Sequence, residues 1–100
     1  MSLANLYTEL HRRAAASGED RALDLKGGAR LAVRVQAGIV TLTISRKAKR
    51  IGDTELITFK RDCGVPDSAI RFPLDSQGTK EHDGATWHYI AYRWREDGQA

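Results

Sequence analysis

From Leu31 to Ile44, apolar and polar residues alternate with a period of two on either side of Ala37-Gly38, and no other feature constrains this chain as much. Leu31, Val33 and Val35 are interleaved with Arg30, Ala32, Arg34 and Gln36; Val40, Leu42 and Ile44 stand between Thr41, Thr43 and Ser45. Successive side chains of a strand point to opposite faces, so the run reads as a β-hairpin with one apolar and one polar face. Ala37-Gly38 lacks the Asn-Gly chemistry of the tightest hairpin turns, which predicts a slightly longer turn with Gly38 at positive φ. A hairpin of this kind folds only if a second layer covers its apolar face.

The N-terminal segment supplies that layer. Leu3, Leu6, Tyr7, Leu10 and Ala14 fall on one stripe of an α-helix over residues 2–16, with Ser2 as N-cap, Arg12 and Arg13 in the last turns, and Ser17-Gly18 as the stop. Beyond it, Leu23 and Leu25 alternate with Asp24 and Lys26 before a Gly27-Gly28 turn, and Leu56-Ile57-Thr58-Phe59 is rich enough in β-formers to predict a fourth strand. Residues 62–84 carry mostly turn signals, with a short strand at 70–72 and a helical turn starting near Pro66-Asp67-Ser68. Asp83-Gly84 is a hairpin signal leading into Thr86–Trp94, where Trp87 and Tyr89 occupy one face and Ile90, Tyr92 and Trp94 the other. A strand apolar on both faces is covered on both.

These elements predict an α+β fold, a single domain spanning residues 1–100, in which the amphipathic helix packs on a curved, mainly antiparallel sheet of about five strands. The expected core is Leu6, Leu10, Leu31, Val33, Val35, Val40, Leu42, Ile44, Phe59 and Trp87. A lone cysteine precludes an internal disulfide, and no apolar stretch reaches the length of a signal peptide or membrane span, so a cytoplasmic protein without membrane contact is expected.

Signatures of catalysis are sparse. Glu81, His82, Asp83 and His88 flank one turn, yet their spacing matches no zinc motif. Cys63, with His11, His82 or His88 as base, is the sole candidate nucleophile, and with Asp62 adjoining it a free cysteine before a glycine reads as inert core filler. Neither of the glycine-rich phosphate-loop patterns occurs. The expectation is a protein that is not an enzyme, with no catalytic, cofactor-binding or metal-binding residues.

Charge points instead to binding. The chain carries 16 Lys and Arg against 13 Asp and Glu, for a net +3. The excess is concentrated in the run Arg46, Lys47, Lys49 and Arg50. With Arg34 on the polar face of the hairpin and Lys60 on the expected fourth strand, these residues form a candidate surface for nucleic-acid phosphates, and Tyr92 or Trp94 offers a stacking platform beside it. The alternative is a protein-interaction or inhibitor module, including a homodimer, that uses Tyr92 and Trp94 of the aromatic last strand as its interface.

Overall fold

The change of period after Gly18 divides the chain in the structure as it does in the sequence, a helix first and strands after it. A computed structural model describes residues 2–96. Helix α1 runs Leu3–Ser17; the Asn5 N–H donates to Ser2 Oγ at 3.2 Å, and Gly18, at φ 70°, donates its N–H to the Ala14 carbonyl. Arg12 and Arg13 stand a turn short of the C-terminal end that was expected to hold them. They pair instead with Glu9, through Arg12 Nε at 3.1 Å and Arg13 Nε at 3.5 Å.

Strands β1 (Arg21–Asp24), β2 (Ala29–Gln36) and β3 (Ile39–Lys47) form an antiparallel meander. Gln36 pairs directly with Ile39, so the β2–β3 turn is the two-residue kind, shorter than expected. Ala37 and Gly38 both take positive φ, 51° and 75°. That geometry matches the right-handed twist of the flanking strands, and eight register pairs outweigh the cost of about 1–2 kcal/mol for a left-handed alanine.

The expected fourth strand is a helix, α2 (Asp53–Asp62). Its β-forming residues are overridden by a helical face, in which Leu56, Phe59 and Cys63 recur at three- and four-residue spacings and turn into the core. Asp53 and Glu55 in the first turn and Lys60 and Arg61 in the last suit the helix dipole, while Ile57 stays exposed. The segment after α2 is more ordered than its turn signals imply. A single turn at 66–69, closed by the Ala69 N–H on the Pro66 carbonyl, leads into β4 (Ile70–Phe72) and then β5 (Gly78–His82). Asp83 and Gly84, at φ 52° and 75°, turn the chain into β6 (Ala85–Arg95).

The sheet has six strands in the order β1-β2-β3-β6-β4, with β5 also on β6, and every pairing is antiparallel. β6 is therefore central, with β3 along one side and β4 and β5 sharing the other. Both helices pack on the face that carries Leu31, Val33, Val40, Leu42, Ile44, Ile90 and Tyr92, against Tyr7, Leu10, Ala14 and Phe59. Full burial of each large aliphatic side chain there stabilises the fold by about 1.5–3 kcal/mol. Leu6 and Val35 of the expected core are only half-buried, and Trp87 points to the opposite face. Among the described residues no helix is long and apolar enough to cross a membrane.

The loop carrying Lys49 and Arg50 is pinned by a side chain distant in sequence. Gln77 grips the backbone of Ile51 from both ends, accepting from its N–H and donating to its carbonyl at 2.8 Å each, and the Ala48 N–H donates to the Thr86 carbonyl at 2.8 Å. Ile51 is 3% exposed, so water cannot replace those bonds. Gln77→Ala should cost about 2 kcal/mol and accelerate amide exchange at Ile51; urea unfolding and hydrogen exchange would check this.

Candidate nucleic-acid interface

Strand parity decides what the helix-free face displays. Residues directly opposite each other in an antiparallel sheet point the same way, so the register builds this face as rows across the strands. One row is Lys47, Trp87 and Lys80, and the next is Arg30, Ser45, Tyr89 and Gly78. A third is Ala32, Thr43, Ala91 and Phe72, followed by Arg34, Thr41, Arg93 and Ile70. The middle of the face is low because its residues are small. Two adjoining hollows of about 230 and 400 Å³ meet there, both lined by Arg34 and Thr41.

Trp87 stands between two lysines, each directly opposite it on a neighbouring strand, and the His82 ring meets it edge-on at 6.3 Å. Its buried indole N–H has no hydrogen-bond partner among the described residues. Tyr89 packs against Gly78; a Cβ at that position would come within 2.3 Å of the tyrosine ring, so glycine makes room for it. Lys80 Nζ sits 5.7 Å from the centroid of that ring. Cations outnumber carboxylates on the strands of this face, with Arg30, Arg34, Lys47, Lys80, Arg93 and Arg95 against Asp24 alone. Arg30 is paired with Asp24 at 2.7 Å, and Arg34 is held bidentately by Asp20 at 2.6 and 3.1 Å. Among the described residues Lys47, Arg93 and Arg95 have no acidic partner, and Lys80 has only the Tyr89 ring.

The six cations expected from the sequence are thereby divided. Arg34 and Lys47 lie on the open face, whereas Lys49 and Arg50 are exposed on the pinned loop that follows, with Lys49 close enough to Glu55 of α2 to help hold that carboxyl's pKa down. Arg46, one residue before Lys47, points the other way. Its Nε donates to Glu55 at 2.8 Å, its Nη2 donates to the other oxygen of the same carboxylate, and Nη1 donates to the Gly27 carbonyl at 2.7 Å. Its donors are engaged in tying β3 to α2. Lys60 rides on α2 with Nζ 5.4 Å from the Tyr92 ring, on the helix-covered side. The expected interface aromatics are also misplaced, for Tyr92 is 4% exposed within the core and Trp94 packs against that core. Burial pushes the Tyr92 hydroxyl pKa up, with Arg71 acting in the opposite sense. Sequence reasoning missed Lys80 and Phe72 as members of the open face because that membership depends on β4 and β5 pairing with β6, and it missed Arg93 although the alternation of β6 puts it on the face of Trp87 and Tyr89.

The remaining candidate chemistry is dispersed. His82 faces the open side and contacts Asp83 at 3.3 Å, whereas His88, opposite Thr79, faces the other side, so the residues around the hairpin turn do not converge. No group of three potential metal ligands forms among the described residues. Cys63 lines a hollow of about 230 Å³ with Tyr7, His11, Trp94 and Glu96, but His11 Nε2 is taken up by Glu96 at 2.6 Å. Burial, and secondarily the Asp62 carboxylate, pushes the Cys63 thiol up to about 12. A thiol so disfavoured as thiolate is a core group. Comparison with known protein families, with characterised proteins and with solved structures finds no match.

Two outcomes follow. Iodoacetamide at pH 8 should leave Cys63 unmodified in the folded protein and react readily once urea unfolds it, as mass spectrometry would record. The hydrogen bond from Arg46 holds the Glu55 carboxyl below the usual carboxylate range. A depressed folded-state pKa contributes stability that is complete above the unfolded value of about 4.3 and is lost as pH falls through the folded value. Glu55→Gln should therefore be less stable than the parent at pH 7, with the gap closing in acid; unfolding curves taken across pH would test it.

Proposed function

We propose that the protein binds nucleic acid through the helix-free face of its sheet, without catalysis. The observation that carries this reading is the row Lys47, Trp87 and Lys80, continued along β6 by Tyr89, Arg93 and Arg95. From Trp87 to Arg93 the strand covers roughly 20 Å, with cations at both ends and aromatic rings between them. Positive side chains that lack carboxylate partners gain most from neutralising phosphates, since no internal ion pair has to be broken first.

This proposal keeps the ligand class expected from sequence and changes the residues. Arg46 and Lys60 leave the contact set, Lys80, Arg93 and Arg95 enter it, and Trp87 and Tyr89 replace Tyr92 and Trp94 as the aromatic component. With four unpaired cations the affinity for single strands should fall with salt at a log-log slope of roughly −3.

Fluorescence anisotropy with labelled single-stranded DNA, duplex DNA and RNA across a salt series tests the reading. The Lys47→Glu/Lys80→Glu double variant should fold normally and lose most binding. Salt-insensitive binding, or undiminished binding by the double variant, would remove the proposal.

A further inference from the structure

Three large apolar side chains stand in the solvent along one short stretch: Ile70 at 69% exposure, Phe72 at 62% and Leu74 at 72%. Ile70 and Phe72 belong to β4, and their register opposite Arg93 and Ala91 places both on the helix-free face. Phe72 is the most exposed aromatic ring there, since Trp87 and Tyr89 are half-buried by their neighbours. Its cross-strand partner is an alanine, whose methyl group leaves that flank of the ring uncovered. Arg93 is its diagonal neighbour, about 7 Å away between Cα atoms, and has no partner among the described residues. A bare ring beside a free guanidinium at the edge of a cationic face is what a nucleotide requires, a flat surface for the base and a positive charge for the phosphate attached to it.

Resting on the reading above, we infer that Phe72 is a base-stacking platform, with Arg93 holding the adjoining phosphate, and that the ligand is therefore single-stranded. In a duplex the bases already stack on one another and offer a side chain only their edges, so this ring has nothing to engage. A single strand has free base faces, and every base has one, so the contact adds affinity without reading sequence. Charge complementarity selects this occupant over an apolar protein segment. Arg93 and Arg95, which have no carboxylate partner among the described residues, border the surface that Phe72 joins, and an apolar partner would have to desolvate them without compensation.

The test compares the parent protein with Phe72→Ala and Phe72→Tyr on three probes, namely a short oligo-dT, an abasic strand with the same number of phosphates, and a DNA hairpin duplex. Phe72→Ala should weaken oligo-dT binding roughly 5- to 100-fold while leaving the abasic strand, the duplex and the salt slope unchanged; Phe72→Tyr, which keeps the ring, should bind like the parent. The ring is exposed, so neither change should disturb folding, which circular dichroism would verify. Equal oligo-dT binding by Phe72→Ala, with binding still lost in Lys47→Glu/Lys80→Glu, overturns the inference and leaves the phosphate reading intact. Absence of binding by the parent at low salt overturns both. A parent dimer in sedimentation velocity that Phe72→Ala converts to monomer also overturns it, by assigning the β4 edge to self-association.

Discussion

The antiparallel register of β3 on β6 decides on which side of the molecule nearly every charged and aromatic strand residue stands. It pairs Ile39 with Arg95 at one end and Lys47 with Trp87 at the other without a bulge between them. A one-residue slip of either strand against the other would send that strand's buried set into solvent, Leu42 and Ile44 for β3 or Ile90 and Tyr92 for β6, and bring Thr41 and Thr43 or Ala91 and Arg93 beneath the helices. Burial of the first set is thus also what raises Lys47, Trp87, Tyr89 and Arg93 on the far side. The stability of the core and the composition of the open face are two consequences of one constraint.

Arg46 and Lys47 illustrate how sharply parity separates roles. Adjacent in sequence and alike in charge, they differ in everything their surroundings impose. Arg46 turns toward α2 and engages the Glu55 carboxylate and the Gly27 carbonyl, and so joins β3 to the helix and to the β1–β2 turn. Lys47 turns outward beside Trp87 and has no side-chain partner among the described residues. The planar fork of arginine suits the first position, where several fixed acceptors must be met together, and a solvated ammonium suits the second.

The hairpin was legible because its alternation is both local and long, and the N-terminal helix because its stripe ends at a glycine. The faces of β6 were legible too, since Trp87 and Tyr89 separate by parity from Ile90, Tyr92 and Trp94. Which of those faces is covered was not. That depends on α2, whose Leu56-Ile57-Thr58-Phe59 core favours a strand by propensity and becomes helical only because Leu56, Phe59 and Cys63 find the sheet on one side. A strand at Leu56–Phe59 leaves a single helix to cover the sheet, puts Lys60 with the polar face and leaves Tyr92 free. Lys80 and Phe72 were hidden for a related reason. Their strands are short, and they are held mainly by pairing with β6, a contact between distant parts of the chain that local pattern cannot express.

The charge asymmetry also changes meaning once the fold is known. Along the sequence it separates a basic first half from an acidic second half, with the Arg46–Arg50 run as its centre. In three dimensions it separates two faces. The helix side holds the pairs Arg46 with Glu55, Arg12 with Glu9 and His11 with Glu96, and the open side pairs Arg30 with Asp24 and Arg34 with Asp20. The open side leaves Lys47, Arg93 and Arg95 without carboxylates among the described residues. Solubility alone requires charge on both faces and is indifferent to whether it is paired. Cations without counter-charges on one face, set beside exposed apolar groups at Ile70 and Phe72, repel one another and expose hydrocarbon to water. An anionic ligand with planar apolar surfaces relieves both costs together, and that is the physical argument for a nucleic-acid strand on this face.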